Sequence, residues 1–316
     1  FIEPKKDDQF QTTERKVIYV QTADNSNNLW PAYKGLEKIG DATIESYEMD
    51  NRPNSQDLRK VADHRIDQYM KTAGVPHILQ WAELAYRKKD NTWFRDYDVH
   101  EVLLRSGIKK TEITEGNEWF RTDAQTAKEA IKAVKEGKKA IDAPLTEQKS
   151  KIVLRPEQKE AVQKTQKAFK AYDKMLWNAK MRFGKTLSAL QLIKEERFQH
   201  VLIMTHRPVV DDGWFEDFNK IGMPAAGYAY GSKKKGQDFD NLLQSDQPYV
   251  YFASLQDLGG SELVGGKISD KNQRLFNNRW DLVIIDEAHE GTQTELARRV
   301  LEKVITKDHT KLLELS

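Results

Sequence analysis

The spacing of apolar positions changes character near the middle of the chain. Residues 1–15 (FIEPKKDDQFQTTER) show little periodicity and read as a tail. VIYVQT (17–22) is a short β-branched and aromatic run that predicts a strand, and LEKIGDAT (36–43) predicts a second after the loop NSNNLWPAYKG. In DLRKVADHRIDQYMKTAG the apolar residues Leu58, Val61, Ile66, Tyr69 and Met70 recur at helical spacing, and Gly74 closes the segment. HILQWAELAY (77–86) predicts a third strand and DYDVHEVLLRSG (96–107) a short helix. TDAQTAKEAIKAVKEG predicts a helix with Thr122 and Gln125 as its capping box and Gly137 as its stop.

KKAIDAPLTEQKSK is polar and joins two halves, with the boundary expected near residue 147. Beyond it, LRPEQKEAVQKTQKAF predicts a helix, KMLWNAK a strand, and TLSALQLIKEER the helix that follows. VLIMT (201–205), YVYFAS (249–254) and LVIID (282–286) are uninterrupted apolar runs with helix-like segments between them. Such runs suit strands buried on both faces of a parallel sheet, so the predicted class is α/β. GSKKKGQD and the paired glycines at 259–260 and 265–266 read as surface loops, with the lysines solvated.

A length of 316 residues allows two ordinary domains. The sequence begins at Phe1, which predicts a fragment or trimmed chain. Charged residues make up 32%, but seven Trp, eleven Tyr and twelve Phe argue against disorder. No run approaches the roughly 18 apolar residues that a membrane span needs, so no membrane role is expected. Cysteine is absent, which excludes disulfides and thiolate metal sites and makes a cytoplasmic home the expectation. A net charge of +2 gives no hint of a polyanionic partner, so any nucleic-acid surface must be local.

The candidate chemistry starts at AKMRFGKT (179–186). A loop that cradles phosphate needs inward backbone N–H groups, a helix directly after it, and a lysine that reaches the β- and γ-phosphates. Gly184 permits the close turn, Lys185 supplies the charge, and Thr186 supplies a hydroxyl for Mg²⁺. Ala179 stands where such loops open with glycine and is compatible with the turn if its φ is negative. Arg182 either reaches a neighbouring group or is solvated. Magnesium on ATP also wants a carboxylate at the end of a nearby strand, and LVIIDEAH provides Asp286 and Glu287. Asp286 is expected to hold the ion through water and Glu287 to act as general base toward the attacking water.

These segments resemble the first motor lobe of superfamily 2 helicases and translocases of the DEAH type, a branch that includes restriction-enzyme motor subunits. The resemblance covers about 150–316 and implies a RecA-like fold. LRPEQ (154–158) resembles the adenine-recognition segment, which makes Gln158, with Arg155 beside it, a candidate nucleotide contact. VLIMTHRPVVDDGW resembles motif Ia, and YVYFASLQDL a later segment. Together they imply nucleic-acid contacts at Thr205, His206, Arg207 and Ser254, with Gln256 near the last. TKLLELS ends where the family continues into motif III, so the second lobe and its arginine fingers lie outside the sequence, and slow ATP turnover is expected.

The first half resembles the GIY-YIG nuclease superfamily over about 16–135. VIY places Tyr19 as the first tyrosine, and KIG puts Lys38 where a second would stand. Arg65, with Arg52 as competitor, His100 and Glu118 match the remaining positions. The resemblance implies phosphodiester hydrolysis with one Mg²⁺ or Mn²⁺ on Glu118, Arg65 against developing phosphate charge, and Tyr19 or His100 near the attacking water. Each has a structural alternative: a flank to core aromatics for Glu118, a surface-helix histidine for His100, strand core for Tyr19, and a solvated charge for Arg65. Trp81, Trp93, Phe94 and Trp119 read as core or as a base-stacking platform. The implied partners are double-stranded DNA and modification or specificity subunits. The alternatives are a motor with a non-catalytic DNA-recognition module, and an RNA helicase.

Overall fold

The computed structural model describes residues 14–46, 48–113, 118–141, 152–180, 182–206, 208–269, 272–286 and 295–316, without the side chains of Thr72, Glu112 and Glu118. The chain divides into two compact units, Phe1–Leu145 and Thr146–Ser316.

The first unit runs β1 (Lys16–Ala23), β2 (Leu36–Thr43), α1 (Gln56–Ala73), β3 (His77–Leu84), β4 (Tyr86–Arg87), β5 (Thr92–Trp93), α2 (Asp96–Arg105), β6 (Lys110–Glu112), β7 (Glu118–Arg121) and α3 (Ala124–Lys135). β4 and β5 form a small hairpin, and the others form a five-stranded sheet in the order β3-β1-β2-β7-β6. Its strands pair antiparallel throughout. β1 is central and sends alternate residues to two cores. Val17 and Tyr19 pack with Leu58, Ala62 and Ile66 of α1, while Ile18 and Val20 pack with Val99 of α2 and Ile131 of α3. This double burial explains why VIYV reads as one apolar run.

α1 begins at Ser55, whose side chain accepts from the Leu58 N–H, and ends at Gly74 with φ 67°. The predicted cap of α3 is displaced by one residue. Asp123, rather than Thr122, is the N-cap, and its carboxylate accepts from the Thr126 N–H at 2.8 Å. A carboxylate there satisfies an orphan donor and also meets the positive end of the helix dipole, which a threonine hydroxyl does more weakly.

The second unit runs α4 (Pro156–Ala168), β8 (Lys174–Trp177), α5 (Lys185–Glu196), β9 (His200–Thr205), α6 (Asp211–Lys220), β10 (Ala229–Ser232), α7 (Phe239–Gln244), β11 (Tyr249–Ser254), α8 (Leu255–Gly259), α9 (Gln273–Asn277), β12 (Leu282–Asp286), α10 (Glu295–Val304) and β13 (Lys311–Leu315). Six parallel strands stand in the order β10-β11-β9-β12-β13-β8, a RecA-like arrangement. Val201 and Ile203 of β9 face the core under α5 and α6. Leu202 and Met204 face the core under α8, α9 and α10. Each fully buried Ile or Leu here contributes on the order of 1.5–3 kcal/mol.

β10 escapes the apolar pattern because it has four residues, two of them Gly231 and Ser232. β13 inserts between β12 and β8 although it comes last in the chain. Among the described residues, no helix is long and apolar enough to cross a membrane.

Candidate functional site

The carboxyl ends of the parallel strands collect the candidate residues of the second unit. β8 ends at Trp177, and the chain turns through 178–184 into α5. Pairing continues past the strand end: Ser316 N–H donates to Trp177 O at 2.9 Å, and Ala179 N–H donates to Ser316 O at 3.1 Å. Ala179 is not among the residues with positive φ. The left-handed conformations fall instead on Arg182 (φ 64°) and Gly184 (φ 82°). Alanine therefore serves where such loops usually carry glycine, and the strain of a side chain at positive φ sits on the exposed Arg182.

Helix α4 braces this loop. Arg155 Nη2 donates to Arg182 O at 3.2 Å and to Phe183 O at 2.5 Å. Gln158 Nε2 donates to Phe183 O at 2.7 Å, and its Oε1 accepts from the Arg155 N–H at 2.8 Å. A Cβ at Gly184 would run into Gln158 Nε2, so the brace and the glycine require each other. Gln158 is buried, and these two bonds engage one of its two amide N–H donors. The N-cap of α5 is Gly184, which brings no side chain to cap the helix start. The N–H groups of its first turn have no intrahelical acceptor, and the helix dipole adds positive potential there. Lys185 and Thr186 follow directly, both half-buried.

Asp286 closes β12 at the same edge of the sheet. One strand, β13, separates β12 from β8, so the carboxylate and the loop stand two strand spacings apart, about 10 Å. Trp214 of α6, almost fully buried, donates its indole N–H to Asp286 Oδ2 at 2.9 Å. This contact spans 72 positions of sequence, and the only sequence signal for Trp214 is its place at the end of VLIMTHRPVVDDGW. A lysine, a hydroxyl, an uncapped helix start and a carboxylate form a donor set that suits a triphosphate carrying Mg²⁺. Glu287 lies outside the described residues. Among those described, no group of three His, Asp or Glu side chains gathers for a metal.

In β11, β9 and β12 the last residues stand in one row: Ser254 pairs with Thr205, and Thr205 with Asp286. Thr205 and Ser254 are buried, so their side chains face inward. Ser254 caps α8, accepting from the Asp257 N–H at 3.1 Å and donating to Asp257 Oδ2 at 3.0 Å. His206 and Gln256 are exposed beside them, and Arg207 lies outside the described residues.

In the first unit, Tyr19 and Arg65 are on the α1 side of the sheet. Tyr19 is 2% exposed, its ring lies over Gly40, and its hydroxyl meets that of Tyr69 at 3.2 Å. Gln21 Nε2 donates to the Tyr69 hydroxyl at 3.4 Å, and the Lys38 ammonium lies 4.6 Å from the Tyr69 ring centre. Burial pushes Tyr19 far above the ordinary tyrosine range, with Tyr69 adding to the rise. Burial also pushes Tyr69 up to about 12, and the nearby Arg65 charge opposes both shifts. In the sequence Tyr69 reads only as an apolar position at helical spacing. Its place four residues after Arg65, on the same helical face, is the signal that it belongs to this cluster.

His100 lies on the opposite side of the sheet, against Phe120, and Ile39 O fixes its Nε2 as a donor at 2.9 Å. Glu118 opens β7 opposite Glu112, and its side chain is outside those described. Arg52 is instead tied to Asp50 at 2.6 Å. Phe94 and Trp119 are core residues, whereas Trp81 and Trp93 are half-buried.

Residues 151–316 match the family described as type III restriction enzyme, res subunit. A Mycoplasma pneumoniae protein named as the C-terminus of a type II restriction enzyme and methyltransferase is 30% identical over 157 residues, which is 48% of this chain and 22% of the relative. Among solved structures, the Sulfolobus solfataricus SWI2/SNF2 ATPase core in complex with double-stranded DNA is 17% identical, with TM-score 0.39 over 55% of this chain and 34% of that one. A nuclease-deletion mutant of the type ISP restriction-modification enzyme LlaGI is 16% identical, with TM-score 0.37 over 52% and 17%. The UvsW helicase of bacteriophage T4 is 17% identical, with TM-score 0.35 over 52% of each chain. The chain thus spans about a fifth of the curated relative it matches.

Proposed function

The chain belongs to the family of the type III restriction enzyme res subunit, and from that premise we propose that its second unit is the first motor lobe of an ATP-dependent translocase or helicase acting on double-stranded DNA. One observation carries the reading. An uncapped helix start at Gly184–Thr186 and the carboxylate Asp286 share one edge of one parallel sheet. Lys185 would meet the β- and γ-phosphates. Thr186, and Asp286 through water, would hold Mg²⁺, which when bound offsets charge on the phosphate oxygens. Arg155 and Gln158 hold the loop in its receiving shape, and the second amide N–H of Gln158 is the candidate adenine contact. Glu287 is the candidate general base. His206 and Arg207 would meet the DNA backbone, with the buried Thr205 and Ser254 holding the strand ends beneath that track.

The first unit is proposed as a GIY-YIG-like nuclease module in which Tyr19, Arg65, His100 and Glu118, with Mg²⁺ or Mn²⁺, cut a phosphodiester. A second reading, a non-catalytic DNA-recognition module, is favoured by two observations: Tyr19 is almost fully buried, and His100 is on the other face of the sheet. Modification or specificity subunits are the expected partners.

A fluorescent ATP analogue titrated with Mg²⁺ tests the motor. The wild-type chain is expected to bind it, and Lys185→Ala is expected to lose most of that affinity with an unchanged melting temperature. Equal binding by both refutes the assignment. Stimulation of the ATPase by RNA but not by duplex DNA would redirect the reading to an RNA motor. Plasmid cleavage that disappears in Glu118→Ala selects the nuclease. Binding without cleavage selects the recognition module.

A further inference from the structure

The turn after β10 holds three consecutive lysines, Lys233, Lys234 and Lys235, which the nucleotide chemistry does not use. A solvated charge run needs no anchoring, but this turn is tied down at every step. Ser232 Oγ accepts from the N–H groups of Lys234 at 3.1 Å and Lys235 at 2.8 Å, and the Ser232 N–H donates to Lys235 O at 2.9 Å. The same hydroxyl reaches the buried Asp211 Oδ2 at 2.7 Å, while Tyr230 donates to Asp211 Oδ1 at 2.6 Å. Gly236 closes the turn at φ 62°, where a Cβ would collide with the carbonyl of Tyr230.

The anchored turn stands beside the row of strand ends. β10 pairs with β11, and Ser232 is level with Phe252, two residues before Ser254. The two places meet on one carboxylate: Lys233 Nζ is 3.0 Å from Asp257 Oδ1, and Ser254 donates to Asp257 Oδ2 at 3.0 Å. Lys235 is 3.5 Å from Asp212 and lies over the Phe215 ring at 5.8 Å. The Lys233 side chain is exposed and its pair with Asp257 is of small net worth, so a polyanion can take that lysine over at little cost. The Asp257 carboxylate thereby places the Lys233 ammonium beside Ser254.

We propose that the turn Ser232–Gly236 is a phosphate-contact element that extends the DNA-backbone track from the strand ends to the outermost strand of the sheet. It rests on the reading of this unit as a DNA motor lobe. Phosphate contacts carry position rather than sequence, so the turn adds grip and register without base preference. Each lysine–phosphate contact steepens the fall of log affinity with log salt by about 0.9.

The test is fluorescence anisotropy of a labelled duplex with the full chain across a salt series. It compares wild type, Lys233→Gln/Lys234→Gln, Lys233→Arg/Lys234→Arg, and a control, Lys303→Gln/Lys307→Gln, whose exposed lysines precede β13, at the amino ends of the strands and away from Ser254. The turn variant is expected to show a slope shallower by about 1–2 and affinity at ~0.1 M salt reduced tenfold or more. The arginine pair and the control are expected to match wild type. A slope unchanged in the turn variant, beside wild type that binds with ordinary salt dependence, overturns the inference and leaves the motor reading standing. Wild type that fails to bind the duplex removes the DNA reading and this element with it.

Discussion

Replacing Trp214 by phenylalanine isolates one bond at the motor site. The indole N–H gives Asp286 a hydrogen bond at 2.9 Å from a side chain that is 1% exposed, and phenylalanine keeps a ring in place but removes the donor. A hydrogen bond to a charged group contributes about 1.5–3 kcal/mol. Asp286 is only half-buried, so water repairs part of the loss and the lower end applies. The smaller ring also leaves a space of roughly 40 Å³, which at ~24 cal/mol per Å³ costs about 1 kcal/mol. The total, about 2–3 kcal/mol, lowers the melting temperature by roughly 5–10 °C for a unit of this size. A double-mutant cycle with Asp286→Ala in urea unfolding separates the two parts, because only the hydrogen-bond part couples to Asp286. A coupling of about 1.5 kcal/mol or more is expected. The same variant should require more Mg²⁺ to bind the ATP analogue, since the carboxylate loses the bond that fixes its rotamer. Coupling below about 0.5 kcal/mol would sink the idea that Trp214 orients Asp286 and leave it a packing residue.

Two further outcomes follow from the loop and from the first unit. Gly184→Ala combines φ 82° with a clash on Gln158 Nε2, so it should weaken binding of the ATP analogue at least tenfold and lower the melting temperature by several degrees. Gln158→Ala should relieve part of that loss, and equal damage in both backgrounds would show that the clash is not the cause. Burial pushes the Glu37 carboxyl up to about 8, with Asp123 adding to the rise, while Gln80 Nε2 donates to it at 2.7 Å. An acid whose folded pKa is raised binds its proton more tightly when folded, so it destabilises progressively as pH rises from about 4.5 to about 8. Glu37→Gln should therefore raise the melting temperature at pH 8.5 and leave it nearly unchanged at pH 4.5. A gain of the same size at both values would count against this assignment.

Local rules already visible in the residues set much of the molecule. VIYV, VLIM and LVII are apolar at every position because each strand is covered on both faces, and that is readable without coordinates. The Gly184-Lys185-Thr186 step into a helix and the acidic end of LVIID follow from the backbone freedom of glycine and from strand termination. The position of Gly74 as a helix stop is equally local. Short or compositionally mixed elements were not readable. β10 lacks enough apolar residues to show a period, and the cap of α3 depended on which of two adjacent polar residues reached the free N–H groups.

Periodicity and neighbouring residues in the chain thus carry the α/β class and the candidate phosphate loop with its acidic partner. What joins them was set by packing between distant segments. Strand order places β13 between β8 and β12, Trp214 reaches Asp286 from the covering helix α6, and Arg155 and Gln158 seize carbonyls more than twenty residues away. Tyr69 meets Tyr19 fifty residues apart, while His100 turns to the opposite face. Such contacts form when non-local packing brings distant segments together, and no periodic signal in the chain encodes which polar atoms will then lie within hydrogen-bond reach.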